Sequence, residues 1–234
     1  MKKIMSGIIV AIIILLTTVT VNAVNFEELG MKIDIPSQYY DLKSGIDNND
    51  PTVTFYEATF RKTKDELKQQ YEQGGVIYDG VTYNNSTEII ISVIENNRTK
   101  SDFNLSLLEE EDITQLQQEL IDANKGMQKQ SQEVYENNGI KYIYTSFKSG
   151  AKTLMQCYTI VNGKAITINL SGEYSNVKND ELKTIIDTIE FSQIQEKPFS
   201  IINNPYVLIG AGIGGIVVLI ISIIAISITN RKEN

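Results

Sequence analysis

The feature that most constrains this chain is an uncharged apolar stretch near its C-terminus, from Val207 to Thr229. A helix over this stretch would be roughly 34 Å long at about 1.5 Å per residue, which is enough to cross the hydrocarbon core of a bilayer. We therefore predict a transmembrane helix over residues 206–229, followed by a cytoplasmic tail over 230–234. The chain is then expected to be a single-pass protein of the cell membrane.

The same stretch contains a glycine spacing that is also found in nucleotide-binding proteins. Gly210, Gly212 and Gly215 read G-x-G-x-x-G, the fingerprint of a dinucleotide-binding turn. That turn needs a preceding strand and an acidic residue about 20 positions later. The next acidic residue here is Glu233, and no βαβ unit surrounds the glycines. We expect no nucleotide and no other cofactor.

A second pattern in these residues favours helix packing. Gly210 and Gly214 form G-x-x-x-G, and Ala211 and Gly215 repeat the small-residue spacing one position later. Small residues at this spacing let two membrane helices approach closely. The sequence therefore allows a homodimer through the transmembrane helix or a membrane or envelope protein partner, and a plain membrane span is the alternative.

The N-terminus has the organisation of a secretory signal peptide. Lys2 and Lys3 precede an apolar run from Ile8 to Leu16, and the small and polar residues up to Ala23 suit a cleavage site. We predict a signal peptide over residues 1–23, with an uncleaved N-terminal anchor as the alternative. Either reading places the following segment outside the cytoplasm.

Positive charge after the C-terminal helix supports the same orientation. Arg231 and Lys232 are expected to stay in the cytoplasm, which places the main domain on the extracytoplasmic side. The helix and basic tail also resemble a sortase sorting signal, but the preceding residues contain no LPxTG motif. We therefore expect the helix to be retained.

Composition excludes several classes of function. The chain has a formal net charge of -8, so nucleic acid is not an expected partner, since phosphate binding relies on clustered lysine and arginine. The chain contains no histidine, which rules out a Ser-His-Asp or Cys-His nucleophile and histidine metal sites. We expect no enzyme. The single cysteine, Cys157, lies in an alternating apolar run and is interpreted as a buried thiol.

Two groups of side chains remain as candidate sites. Carboxylates at four consecutive positions form the densest acidic cluster; they could hold a cation, or they could favour a helix start through the backbone dipole. Tyrosines on later strands could line a recognition surface, or they could be ordinary sheet packing. The alternative function is thus an exported carboxylate-based metal-binding sensor or enzyme. The residues are Glu109, Glu110, Glu111 and Asp112 for the acidic cluster, and Tyr142, Tyr144 and Tyr158 for the aromatic group.

The exported segment alternates between strand and helix patterns. Residues 31–36 alternate apolar and polar side chains, 52–60 and 87–95 have strand composition, and 44–51 have loop composition. Three helices are predicted, over 63–75, 109–126 and 179–191. Residues 132–172 form runs joined at Asn138-Gly139, Ser149-Gly150 and Asn162-Gly163, which indicates an antiparallel meander. The fold class is α+β, with helices packed on an antiparallel sheet.

The order of these elements resembles the PsbP-like α/β/α-sandwich domains. The likeness rests on an opening strand that ends in IDIP, a late hairpin reading YTIVNGKAITINL and a last helix reading LKTIIDTIEF, and it covers roughly residues 26–191. The resemblance implies a PsbP-like domain over 24–191, followed by a linker over 192–205. Because members of that family are mostly binding and assembly modules, it also implies such a module here, without a shared active site.

Overall fold

A computed structural model of the chain describes residues 20–48, 50, 53–54, 57, 63–82, 86–173, 176–177 and 180–197. Most of the expected signal peptide and the whole expected membrane helix, with Gly210, Ala211, Gly214 and Gly215, lie outside these residues. Within the described ranges, no helix combines the length and apolarity that crossing a membrane requires.

Ten strands and five α-helices have both ends within the described ranges. The strands are β1 (Val21–Phe26), β2 (Met31–Pro36), β3 (Tyr39–Asp41), β4 (Val76–Thr82), β5 (Thr87–Ile94), β6 (Gln128–Asn137), β7 (Ile140–Ser149), β8 (Lys152–Val161), β9 (Lys164–Glu173) and β10 (Glu190–Phe191). The helices are α1 (Leu42–Asp47), α2 (Lys64–Gly74), α3 (Asn97–Asp102), α4 (Glu110–Ala123) and α5 (Glu181–Ile186), with 3-10 turns at Glu27–Leu29 and Leu105–Leu107.

The strands form two antiparallel sheets, which confirms the predicted α+β class. The main sheet has seven strands in the order β3-β4-β5-β9-β8-β7-β6, and the small sheet has the order β1-β2-β10. The predicted meander is present as β6 to β9. Its first and last turns place Asn138 and Gly139, and Asn162 and Gly163, at positive φ, as two-residue Asn-Gly hairpin turns require.

The two faces of the main sheet are covered by different elements. On the face that we call face A, alternate residues such as Ile89 and Ile91 pack with Ile33 of β2 and Ile185 of α5. On face B, Ile90 between them packs against α1 and α2. A third apolar cluster on face B joins the meander to α4. Since successive strand residues point to opposite faces, the central strands are buried on both sides.

The structure corrects two local predictions between residues 44 and 60. Residues 44–51 were expected to be a loop, but α1 extends to Asp47, because Asp41 accepts a hydrogen bond from the Ser44 amide at 2.9 Å and Ile46 packs on the sheet. In the segment expected as a strand over 52–60, the described residues Val53, Thr54 and Glu57 are helical. Val53 is fully buried against α1 and α2, so tertiary packing overrides its strand propensity.

The last helix is shorter than predicted. It ends at Ile186, and Glu190–Phe191 instead pair with β2. Its apolar face is buried as expected, with Leu182, Ile185 and Ile186 on the helix and Ile189 just after it. The docking of this segment on the sheet is therefore confirmed.

The first strand begins inside the region expected to belong to the signal peptide. In β1, Val21 pairs with Pro36 and Ala23 pairs with Asp34. Val21, Asn22 and Ala23 are exposed, and burial begins at Val24. The residues next to the expected cleavage position therefore extend an edge strand and contribute little to the core.

Candidate functional site

A groove of about 640 Å³ lies at one end of the main sheet, where β4 begins and β5 ends. Apolar side chains from the small sheet, α2 and the two strands line it, and charged side chains stand beside them. The apolar residues are Phe26, Leu29, Tyr71, Val76, Ile77 and Val93; the charged ones are Glu28, Lys43, Asp47, Lys68, Glu72, Glu95 and Lys164. This volume lies within the usual range for ligand sites.

Helix α2 forms one wall of the groove, and local sequence signals determine where this helix begins and ends. A capping box between Thr63 and Glu66 starts the helix, as predicted. Gly75 ends it in the left-handed conformation, with φ 60°. A Cβ atom at Gly75 would lie well inside van der Waals contact with the carbonyl oxygen of Val93, whose amide donates to the Gly75 carbonyl at 2.8 Å. The turn therefore needs glycine for its backbone angle and for its close approach to β5.

Several charged groups of the groove have a described partner. Lys43 and Lys68 lie 3.5 Å and 4.0 Å from the carboxylate of Asp47. At the other side, Lys164 donates to the backbone carbonyl of Glu28 at 3.2 Å. Glu95 accepts a hydrogen bond from Lys100 at 2.8 Å, and this contact lowers the pKa of Glu95. Each of the three lysines that line the groove in the described part of the chain therefore has an oxygen atom within 4.0 Å.

A second cavity of about 260 Å³ adjoins the groove and shares Glu28, Leu29 and Lys164 with it. One side of this cavity is formed by Ser192, Gln193 and Gln195. These residues belong to the segment 192–197, which we call the strap. The strap was predicted to start a linker, and the structure places it against the domain.

Two asparagines fasten the strap. Asn162 Nδ2 donates to the Gln193 carbonyl at 3.0 Å, and the Gln195 amide donates to Asn162 Oδ1 at 2.8 Å. Asn104 Nδ2 donates to the Gln195 carbonyl at 3.1 Å, while Asn104 Oδ1 accepts from the Asn162 amide at 2.7 Å. Both side chains thus bond to the backbone of the strap, the buried Asn104 also accepts from the backbone of Asn162, and their polar groups are satisfied.

The backbone next to this junction is strained. Phe103 ends α3 with φ 65° and ψ -58°, a conformation that residues with a side chain rarely adopt. Its carbonyl accepts from the Gly163 amide at 2.7 Å, which ties α3 to the β8–β9 turn. This backbone hydrogen bond, together with the one from the Phe103 amide to the Thr99 carbonyl at 2.8 Å, holds Phe103 in this conformation.

None of the four residues of the acidic cluster lines the groove. Glu109 is the N-cap of α4, and Glu110, Glu111 and Asp112 occupy its first turn. All four are exposed. Among the residues that the structure describes, no three acidic or cysteine side chains converge to hold a metal ion. Their position matches the helix-start interpretation, since negative charge is favourable there.

The tyrosines do not form a recognition surface. Tyr142 and Tyr144 share a strand face, as expected, but both are buried in the face A core, and Tyr158 is buried on face B. Helices cover both faces, which explains why these rings are not accessible. Cys157 is also buried in the face A core, and burial raises the pKa of its thiol.

A row of buried polar side chains crosses face B and was not predicted. Gln156 Nε2 donates to Asn169 Oδ1 at 3.1 Å across β8 and β9, and Asn124 Nδ2 donates to the Leu120 carbonyl at 2.8 Å. Gln132 Nε2 donates to Thr145 Oγ1 at 3.1 Å. These bonds satisfy polar groups that would otherwise be costly to bury, and they give the row a structural role.

Sequence reasoning missed the groove residues as a group. Lys43 and Asp47 are four residues apart, which could have indicated an ion pair once α1 was recognised as a helix. Nothing in the sequence indicates that Asn104 and Asn162 meet, because 58 positions separate them.

Comparisons with known proteins give distant structural likenesses. No family model matches the chain, and no curated protein matches it in sequence. The solution structure of cyanobacterial PsbP (CyanoP) from Synechocystis sp. is similar at 14% identity, with a TM-score of 0.47, over 75% of this chain and 94% of that chain. The Saccharomyces cerevisiae Ran-binding protein Mog1p is similar at 9% identity, with a TM-score of 0.36, over 74% of this chain and 96% of that one.

Proposed function

We propose that this protein is a membrane-anchored extracytoplasmic module that binds or assembles with another protein through the groove. The observation that carries the proposal is the composition of the groove: an apolar floor bordered by charges of both signs, with Lys43 and Lys68 both close to Asp47. Protein interfaces have this organisation, with an apolar centre and a polar rim.

The electrostatics of the groove favour a polypeptide over a small anion. Lys43 and Lys68 share the carboxylate of Asp47, and Lys164 contacts a backbone carbonyl. A phosphate or carboxylate ligand would have to displace these partners and approach the nearby acidic groups. An extended segment with apolar side chains and both charges can instead fill the floor and exchange ion pairs along the rim.

We further propose that the domain is a PsbP-like sandwich. The elements that carry the sequence resemblance correspond to β2, the β8–β9 hairpin and α5. Helices and a small sheet lie on the two faces of the main sheet, as a three-layer arrangement requires. The proposal concerns architecture, and it transfers no ligand or partner to this chain.

The anchoring part of the proposal rests on the apolar stretch over 206–229. We expect the protein to stay in the membrane fraction after alkaline carbonate washing and to keep its Arg231-Lys232 tail, because a membrane-spanning helix resists conditions that release peripheral proteins. Fractionation followed by intact-mass measurement tests this. Release by digestion of the cell wall without detergent would show that the anchor is of another kind.

The groove part is tested by site-specific photo-crosslinking of the full chain in its native membrane. A photoreactive residue at Glu28 or Glu72, which are exposed at the groove, is expected to give a defined crosslinked protein product. The matched control is Glu111, which is exposed at the start of α4. The same product from position 111, or no product from either groove position, would contradict the assignment of the groove.

A further inference from the structure

Strand β6 forms one edge of the main sheet, and no described strand pairs with its outer side, although side chains of Glu133 and Asn137 contact α5. Among the described strands it pairs with β7 alone. Seven of its ten side chains are exposed, a much larger share than in β7, β8 or β9. An edge strand with unpaired backbone groups is a template for addition of another strand.

The regular part of β6 has a defined centre. A bulge interrupts its pairing with β7 between Lys129 and Ser131, and the Asn138-Gly139 turn ends the strand. Regular pairing therefore extends from Ser131 to Asn137, and Val134 is its midpoint. Val134 is 44% exposed, which is unusual for a large apolar side chain in this domain.

We propose that two copies of the chain associate through β6, in an antiparallel pair whose two-fold axis passes through Val134. This register pairs the whole regular segment with itself and places the two exposed valines against each other. A two-fold contact of this kind is closed, since each strand uses the same surface. The inference is independent of the proposed groove function.

The charges of β6 fit this register. With Val134 opposite its symmetry mate, Gln132 lies opposite Glu136 and Glu133 lies opposite Tyr135, so no two like charges face each other. A shift that centres the pair on Glu133 would confine regular pairing to residues 131–135, because of the bulge, and would place two carboxylates together, each beside Lys183 of its own chain. A shift that centres it on Tyr135 would shorten the paired segment. The register centred on Val134 is thus the longest regular one without a repulsive pair.

Cysteine crosslinking of the full-length protein tests the register. In antiparallel pairs the opposed Cα atoms are about 4.5 to 5.5 Å apart, within the range of a disulfide. We expect Val134→Cys to form a disulfide-linked dimer on mild oxidation. Glu136→Cys is the matched control, because its symmetry mate would be four residues away, roughly 13 Å along the strand. The native Cys157 is buried and does not interfere.

A charged side chain placed at the proposed two-fold axis tests whether two chains associate through β6. Val134→Lys is expected to lower dimer stability at least tenfold in light-scattering measurements on the detergent-solubilised chain, while the melting temperature stays within a few degrees. Gly214→Ile separates this contact from pairing of the membrane helices. A monomeric wild-type chain, equal crosslinking at positions 134 and 136, or a dimer that is lost only in Gly214→Ile would overturn the proposal.

Discussion

Replacement of Ile185 by aspartate is expected to unfold the domain. Ile185 is 3% exposed and packs in the face A core, so the substitution places an unpaired carboxylate among apolar side chains. Burial of an unpaired charge together with the loss of a large side chain costs about 4 kcal/mol or more, a large share of the roughly 5 to 15 kcal/mol by which an ordinary domain is stable. Thermal unfolding of a fragment over residues 20–197 would measure the effect.

The neighbouring residue provides a control for this change. Thr184 lies on the same helix and is exposed, so Thr184→Asp introduces the same group without burying it. We expect that variant to remain within about 0.5 kcal/mol of the wild type. A melting curve of Ile185→Asp that matches that of Thr184→Asp would mean that α5 does not dock on the sheet.

Replacement of Gly75 by alanine should have the second largest effect. The left-handed backbone costs a residue with a Cβ atom about 1 to 2 kcal/mol, and the overlap with the Val93 carbonyl forces β5 and α2 apart. We expect a total destabilisation of about 3 kcal/mol. Because Gly75 also lines the groove, a variant that still folds should show weaker photo-crosslinking from Glu72.

A substitution at Gly150 provides a control that separates the cost of the left-handed backbone from the cost of the steric overlap. Its φ is also 60°, but a Cβ atom there would meet nothing within 4 Å. Gly150→Ala should therefore show only the backbone cost, and chemical denaturation of both variants gives the difference. Equal destabilisation of the two variants would show that the approach of Gly75 to β5 is not tight.

Elements that depend on neighbouring residues were predictable from the sequence. The Asn138-Gly139 and Asn162-Gly163 turns impose a hairpin through their backbone angles, and the Thr63-Glu66 box marks a helix start within four positions. The alternation of Met31, Ile33 and Ile35 likewise identified β2. In each case the determining interaction is local, so the pattern is visible in a short window.

Features that depend on distant residues were not predictable. Val53 has strand propensity, yet it is helical because it completes a cluster with Leu42 and Leu67. The tyrosines are buried because helices cover both sheet faces, which no strand pattern records. The residues that line the groove come from elements between β1 and β9. Their charged side chains lie close together only in the folded domain.

With the proposed membrane helix, the strap would limit how far the domain can stand from the bilayer. Gln195 is its last residue with a described hydrogen bond to the domain, and eleven positions separate it from Tyr206, where the proposed membrane helix begins. A fully extended chain of that length reaches at most about 40 Å, roughly the diameter of the domain itself. The strap and the groove lie at the same end of the sheet.

With the proposed anchor, this tether confines the groove to a thin layer next to the bilayer. A partner embedded in the same membrane would then meet the groove at a high effective concentration, whereas a partner diffusing freely outside the cell would not. Even weak contacts in the groove would suffice for assembly within the membrane plane. By fastening the strap, the two asparagines would thus determine how far the groove lies from the bilayer. That distance would limit which partners can reach the groove, whatever side chains line it.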